Sequence, residues 1–156
     1  ILGGKSTTVY RSGTPVISMI TSTSVALEKA LRLLEERNEY IQKLNNKIIS
    51  TLKEYKNVHI NNTDKSIPHT INFSIKGVKS DLFASKLNDN NVMVSTKTSC
   101  CPLNTPSKLV YALTKDKSLA STSLRVSISH LTTEDEIEKF LEIFDKCYKE
   151  LVNGEV

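Results

Sequence analysis

The chain has 156 residues, of which 38% are hydrophobic and 24% charged, a balance typical of a soluble globular domain. Its net charge of +4 comes from 21 basic and 17 acidic residues mixed along the chain, without the basic runs and interleaved aromatics of nucleic-acid-binding proteins. No apolar stretch approaches the ~20 residues of a membrane span and no signal peptide opens the sequence, so we expect no membrane or nucleic-acid partner.

The first half of the chain predicts one long helix and then two short strands. Thr14 and Pro15 are typical of an N-cap and a first helical residue, and the helix is expected to run to about Tyr55. The period then changes to that of strands at 58–60 and 70–75. The apolar stripe of the helix recurs at steps of three, four or seven residues and comprises Leu27, Leu31, Leu34, Ile41, Leu44, Ile48 and Leu52.

The second half predicts three more helices and two more strands. Thr133 and Glu136 form a capping box that opens the last helix, and Cys147 falls on the apolar stripe of that helix, which indicates a buried core cysteine. The other predicted elements are a helix from Ser80 through Leu87, a strand at 92–94, a helix that Thr105 and Pro106 begin and that passes Leu113, and a strand at 123–128.

This order of elements predicts an α/β (α+β-like) fold with a small, mostly antiparallel sheet covered by helices and one long N-terminal helix. The chain begins at Ile1 and not at a methionine, so we expect the C-terminal piece of a longer protein. In this interpretation residues 1–156 form a single domain, and residues 1–15 are the loop that links it to the missing part.

The segment from Val94 to Cys101 is the best candidate for nucleophilic chemistry. An apolar run gives way there to small hydroxyl residues and two adjacent cysteines, followed by Pro102. Small polar neighbours leave a cysteine sulfur reachable, and a loop lets it approach a bound electrophile. On these residues alone, two inert cysteines in a connecting loop remain an open alternative. Three cysteines with two adjacent make no disulfide framework, which favours a reducing, cytoplasmic compartment.

Two further places could bind anions. Arg125 lies in the middle of a predicted strand, where it either faces solvent or grips a planar anion through its two-pronged guanidinium. The segment Arg11–Pro15 places hydroxyls and backbone N–H groups at a helix start, which suits a phosphate as well as a plain helix cap. The histidines follow no metal-ligand pattern with the cysteines, so we predict no metal site at His59, His69 or His130.

Taken in order, these motifs resemble the C-terminal part of the NifS/IscS-like cysteine desulfurases, in the class V aminotransferase branch of fold-type-I pyridoxal-phosphate enzymes. Each motif is loose, but the ordered set is specific and spans nearly the whole chain. The matching features are Gly3-Gly4, Arg11-Ser12-Gly13-Thr14, the run from Val94 to Cys100, Pro106-Ser107, Leu124 to Ser129 and Leu131 to Ile137.

The resemblance implies roles for three residues. Cys100 would be the nucleophile that takes sulfur from the substrate L-cysteine, held by pyridoxal 5'-phosphate, leaving L-alanine and an enzyme persulfide. Arg125 would grip the substrate carboxylate, and Thr14 would contact the phosphate of the cofactor in the neighbouring subunit. The family also implies a small domain beside a larger cofactor-binding domain in a homodimer. A sulfur-acceptor or scaffold protein would receive the persulfide for iron–sulfur clusters, thiolated RNA or cofactors.

Some features depart from the family pattern. The Schiff-base lysine lies upstream of Gly3-Gly4 in the family, so the chain alone is expected to be inactive. Ser6-Thr7 stands where the family usually has Gln-Glu or His-Glu. Cys101 adds a second thiol, which leaves two candidates for the nucleophile. The alternatives are another class V enzyme, such as a selenocysteine lyase or an aminotransferase, and a non-catalytic interaction or dimerisation module.

Overall fold

The computed structural model describes residues 12–97 and 105–154. The chain divides into two compact units, Ile1–Arg37 and Asn38–Val156. The elements in chain order are α1 (Ile17–Arg32), α2 (Leu34–Leu52), β1 (Val58–Ile60), β2 (Thr70–Ile75), α3 (Ser80–Asp89), α4 (Lys108–Thr114), α5 (Lys117–Ser121), β3 (Ser123–Ser127), α6 (Glu134–Tyr148) and a π-helical turn at Lys149–Asn153.

The described part of the first unit consists mainly of α1, none of whose residues is buried. The predicted helix start at Thr14 is wrong. Val16 is the N-cap without a side-chain cap, and its carbonyl accepts the first helical hydrogen bond from the Ile20 N–H at 3.2 Å. Pro15 therefore precedes the N-cap and does not occupy the first turn, where its missing N–H would have been harmless.

The long helix predicted from Thr14 to Tyr55 is also wrong, because it is broken at Leu33. That residue leaves helical geometry at φ −102°, ψ 7°, and its N–H donates to the Lys29 carbonyl at 3.3 Å. No glycine or proline marks the break, so residue propensities gave no sign of it. Only the second part of the predicted apolar stripe is buried, namely Ile41, Leu44, Ile48 and Leu52.

The second unit is built on a three-stranded antiparallel sheet in the order β1-β2-β3. This confirms the predicted small antiparallel sheet covered by helices. Side chains alternate between the two faces of a strand, so each strand has an apolar and a polar side. Apolar residues of one face pack against α2, α3 and α6 in the main core, and these are Ile71, Phe73, Ile75, Leu124 and Val126. The opposite face carries Asn72, Ser74, Ser123 and Arg125.

The last helix closes the main core as the sequence predicts. The Thr133 Oγ1 accepts from the Glu136 N–H at 3.2 Å, and the Glu136 carboxylate accepts from the Thr133 N–H at 2.8 Å, which confirms the capping box. Cys147 is 1% exposed, as expected for a core cysteine. Phe144 is fully buried and its ring contacts five others, those of Tyr55, Phe73, Phe83, Phe140 and Tyr148.

Three local predictions in the second unit are corrected. Residues 92–94 form no strand. Val92 and Val94 pack against the core, but only the following Ser95 finds a strand partner. The helix α4 is capped by Ser107, whose hydroxyl accepts from the Val110 N–H at 3.3 Å, and not by Thr105. The short helix α5 was not predicted; its N-cap is Asp116. Within the described residues, no helix has the length and apolar character needed to cross a membrane.

Candidate functional site

Four polar residues form a row across the sheet, on the face opposite the main core. Asn72 on β2 is the register partner of Arg125 on β3, and Ser95 pairs with Arg125 from the other side. Asn61 extends the row beyond β1, because its N–H donates to the Asn72 carbonyl at 2.8 Å. Residues directly opposite in antiparallel strands share a face. We call Asn61, Asn72, Arg125 and Ser95 the polar row.

The guanidinium of Arg125 is the charged centre of this row. Its Nη2 donates to the Ser95 hydroxyl at 3.3 Å, while its Nε is buried and has no hydrogen-bond partner among the described residues. A buried polar atom without a partner costs about 1–3 kcal/mol. In native proteins such atoms are typical of sites completed by a ligand, an ordered water or an ion.

A cavity of about 300 Å³ lies against the polar row. Its described lining residues include two basic ones, Arg125 and Lys97, and no acidic one. This charge balance favours an anionic ligand of amino-acid size. One wall is apolar and comes from α4, and the full lining is Asn61, Thr70, Asn72, Thr96, Lys97, Ser107, Leu109, Val110, Leu113 and Arg125.

The predicted nucleophile Cys100 and its neighbour Cys101 lie outside the described residues. The described chain stops at Lys97 and resumes at Thr105, and both of these residues line a second cavity of about 240 Å³. Lys97 also lines the cavity of Arg125. The two described residues that flank the cysteines in the sequence therefore both lie at this second cavity.

The other predicted residues are placed elsewhere. Thr14 belongs to the first unit, where it is exposed and lies two residues before the N-cap Val16. Cys147 is in the main core, and burial raises the pKa of its thiol, which disfavours the reactive thiolate. The described residues contain no cluster of three His, Cys, Asp or Glu side chains able to hold a metal ion.

Sequence reasoning missed the amide side chains of the site. Asn72 occupies a polar position of the alternating strand β2, which was visible in the sequence, but its pairing with Arg125 depends on the register of strands 53 residues apart. Asn61 directly follows the predicted strand at 58–60, and nothing in the sequence singled it out. Its side chain is 7% exposed, and its Oδ1 is buried without a hydrogen-bond partner among the described residues.

Comparison with known proteins places this geometry in context. The model of the aminotransferase class-V family matches residues 4–140. The cysteine desulfurase IscS of Vibrio cholerae serotype O1 is 30% identical over 143 residues, which is 90% of this chain and 35% of the relative. The IscS-like cysteine desulfurase of Mycobacterium tuberculosis is 27% identical over 90% of this chain and 37% of its own. The chain thus spans about a third of the length of these relatives.

Solved structures agree with this match. The NifS-like protein of Rickettsia africae superimposes with a TM-score of 0.75 at 27% identity, over 96% of this chain and 39% of the other. A second NifS-like protein has a TM-score of 0.76 at 24% identity, over 97% of this chain and 39% of its own, and this likeness concerns the fold alone. Sequence family and fold therefore point to the same group of enzymes.

Proposed function

Because this chain belongs to the class-V aminotransferase family, we propose that it is the C-terminal domain of a pyridoxal-phosphate-dependent cysteine desulfurase. The complete enzyme would convert L-cysteine to L-alanine and keep the sulfur as a persulfide on Cys100. The names of the similar proteins support this reaction over others of the family.

One observation of the site carries the proposal. Arg125 lies on the polar face of β3 and lines a cavity that has no carboxylate among its described lining residues. It is also paired with Ser95, which precedes Cys100 by five residues. A guanidinium in such a cavity binds the carboxylate of an amino acid through paired, charge-assisted hydrogen bonds. A surface arginine without function, the alternative left open by the sequence, would need neither a cavity beside it nor a buried Nε.

The proposed chemistry assigns one step to Cys100. Its thiolate forms an S–S bond with the sulfur of the bound L-cysteine while the C–S bond of the substrate breaks. The electron pair of that bond stays with the substrate carbon, which gains a proton, so that L-alanine leaves and the enzyme keeps the sulfur as a persulfide. A thiolate is a strong nucleophile, which suits this role.

Pyridoxal 5'-phosphate would supply the electron sink for this reaction. Among the described residues Thr14 fits its phosphate end, because it offers an exposed hydroxyl just ahead of the start of α1. Exposed donors near a helix N-terminus suit a phosphate. No lysine of this chain is assigned to the cofactor, and the Schiff-base lysine would belong to the preceding domain.

The setting of the enzyme is part of the proposal. We place it in the cytoplasm as a homodimer, with Thr14 reaching the cofactor of the neighbouring subunit. A sulfur-acceptor or scaffold protein would take the persulfide for the synthesis of iron–sulfur clusters or thiolated RNA and cofactors. In this scheme residues 1–156 act as one small domain beside the cofactor-binding domain.

The test uses the full-length enzyme with pyridoxal phosphate and L-cysteine, and measures both alanine and sulfide. Cys100→Ala is expected to abolish both products, whereas Cys101→Ala retains them. Cys147→Ala is the matched control and should keep both products, because Cys147 is buried in the core and cannot act as the nucleophile.

Loss of activity only in Cys101→Ala would move the nucleophile by one residue and keep the reaction. No sulfide from the wild-type enzyme, or full activity in both variants, would overturn the desulfurase proposal. Transfer of an amino group in place of sulfide release would identify an aminotransferase.

A further inference from the structure

A chain of hydrogen bonds runs from the Leu119 carbonyl in α5 to the polar row, and this carbonyl fixes the donor–acceptor direction of the whole chain. The hydroxyl of Ser74, which is fully buried, donates to the Leu119 carbonyl at 2.8 Å. A backbone carbonyl can only accept a hydrogen bond, so the Ser74 hydroxyl must donate its hydrogen to it. Its oxygen is then left as an acceptor for any further partner.

The next member of the chain is the buried amide of Asn61. Its Nδ2 donates to the Ser74 oxygen at 2.8 Å and to the Asn72 Oδ1, also at 2.8 Å. Since the Ser74 oxygen must accept, the Asn61 NH₂ group has to face Ser74 and Asn72. The Asn72 side chain must then accept through its Oδ1. The Leu119 carbonyl therefore fixes, in both amides, which atom is the nitrogen and which is the oxygen.

The consequence is that Asn72 has its NH₂ group available for the cavity. Its Oδ1 is held by Asn61, and its Nδ2 has no hydrogen-bond partner among the described residues. Asn72 lines the same cavity as Arg125 and is its register partner across the sheet. Asn61 lines this cavity too, and its buried Oδ1 has no hydrogen-bond partner in the described part of the chain.

We propose that the Asn72 Nδ2 is a second donor to the carboxylate gripped by Arg125, and that Asn61 is the positioning residue that keeps this donor facing the cavity. The identity of the carboxylate as that of an amino acid rests on the proposed function. The pair makes the site selective for an anion, because every fixed polar group that Arg125 and Asn72 offer to the ligand is a donor. Against these two donors a carboxylate offers two acceptor oxygens, whereas a neutral carboxamide offers only one.

The experiment measures by calorimetry how the full-length protein binds L-alanine and L-alaninamide, which differ only in carboxylate against carboxamide. Asn72→Asp replaces the donor by an acceptor with negative charge, and is expected to reduce the preference for L-alanine over L-alaninamide about 100-fold. Asn72→Ala removes the donor alone and is expected to reduce it about tenfold. Asn46→Ala, which removes an exposed amide from α2, is the control and leaves the preference unchanged.

The positioning role of Asn61 has a separate readout. Asn61→Asp removes the donor to Asn72 and supplies only acceptors, so the amide of Asn72 is expected to turn its NH₂ group away from the cavity. The preference for L-alanine then falls about tenfold although Asn72 itself is unchanged. Asn61→Ala removes the same donor without adding a charge, and it is also expected to lower this ratio. A merely structural defect would weaken both ligands equally and leave their ratio as in the wild type.

A ratio within twofold of the wild type in Asn72→Asp, in protein that still melts cooperatively, would overturn the proposal. If Asn72→Asp shows the expected loss but Asn61→Asp keeps the wild-type ratio of L-alanine to L-alaninamide binding, the positioning role of Asn61 is overturned. These outcomes do not depend on sulfur chemistry. A protein that shows the shifts but releases no sulfide from L-cysteine would refute the desulfurase function and keep this carboxylate site.

Discussion

Arg125 and Ser95 face each other as an isolated antiparallel pair joined by three hydrogen bonds. The Ser95 N–H donates to the Arg125 carbonyl at 3.0 Å, and the Arg125 N–H donates to the Ser95 carbonyl at 2.6 Å. The Arg125 Nη2 also donates to the Ser95 hydroxyl at 3.3 Å. The sheet therefore holds Ser95, five residues before Cys100, beside Arg125, the residue proposed to bind the substrate carboxylate.

Breaking the backbone part of this pair is expected to impair catalysis more than removing its hydroxyl. Ser95→Pro eliminates the N–H that donates to the Arg125 carbonyl, and we expect kcat for sulfide release to fall about fivefold or more because the nucleophile segment loses its anchor. Ser95→Ala keeps both backbone bonds and should leave kcat within about twofold while KM for L-cysteine rises about threefold. Steady-state kinetics of the full-length enzyme distinguish the two, and a wild-type kcat in Ser95→Pro would contradict the anchoring role.

The shape of the Arg125 side chain matters as well as its charge. Arg125→Lys keeps the positive charge but loses the planar fork that binds both oxygens of a carboxylate. We expect KM for L-cysteine to rise roughly 10- to 100-fold, in line with the loss of a hydrogen bond to a charged group. Arg32→Lys, an exposed position on α1, should behave as the wild type. An unchanged KM in Arg125→Lys would exclude direct binding of the carboxylate by this residue.

The sequence predicted what depends on local pattern. Alternation identified β2 and β3, and the motif from Thr133 to Glu136 located the start of α6, because each requires only neighbouring residues. The break at Leu33 had no such signal, since no helix-breaking residue marks it. The pattern at 92–94 was strand-like, yet a strand also needs a partner of matching register, and the segment finds one only at Ser95.

The candidate site likewise contains residues that the local sequence pattern could identify and residues whose roles depend on distant contacts. Arg125 was singled out because it is a charged residue between the apolar Leu124 and Val126 in the middle of a predicted strand. The roles of Asn61 and Asn72 depend on a fixed hydrogen-bond direction that starts at the Leu119 carbonyl, 47 residues beyond Asn72 in the chain. Asparagine is common at strand ends and in turns, so its residue type alone gave no reason to single out either position.

The aromatic cluster around Phe144 is expected to dominate the stability of the second unit. Phe144 is fully buried and packs edge-on against Phe73 and Tyr55. Phe144→Ala should lower the free energy of unfolding by about 3–5 kcal/mol, because it removes buried apolar surface and leaves a cavity. Leu131→Ala, at a residue 76% exposed, is the control and should change it by less than about 0.5 kcal/mol. Urea unfolding followed by circular dichroism measures both, and equal midpoints would refute this view of the core.

The contact between Tyr55 and Asp145 makes stability depend on alkaline pH. The Tyr55 hydroxyl donates to the Asp145 carboxylate at 3.0 Å, and burial together with this hydrogen bond raises the pKa of Tyr55 from 10.0 to about 12. The folded state thus favours the neutral phenol. Its contribution to stability is complete below pH 10 and is lost as the pH rises toward the folded-state pKa of about 12.

Tyr55→Phe removes the titrating group as well as the hydrogen bond, so two effects are expected from one substitution. At pH 8 the free energy of unfolding should fall by about 1 kcal/mol, the usual contribution of one hydrogen bond. Between pH 10 and 12 the variant should lose stability less steeply than the wild type, because no tyrosinate forms at this position in the unfolded chain. Urea unfolding across this range tests both effects, with Tyr111→Phe as the matched control at a ring that is 41% exposed. If the wild type and Tyr55→Phe lose stability with the same slope, the contact with Asp145 does not govern the alkaline limit of the fold.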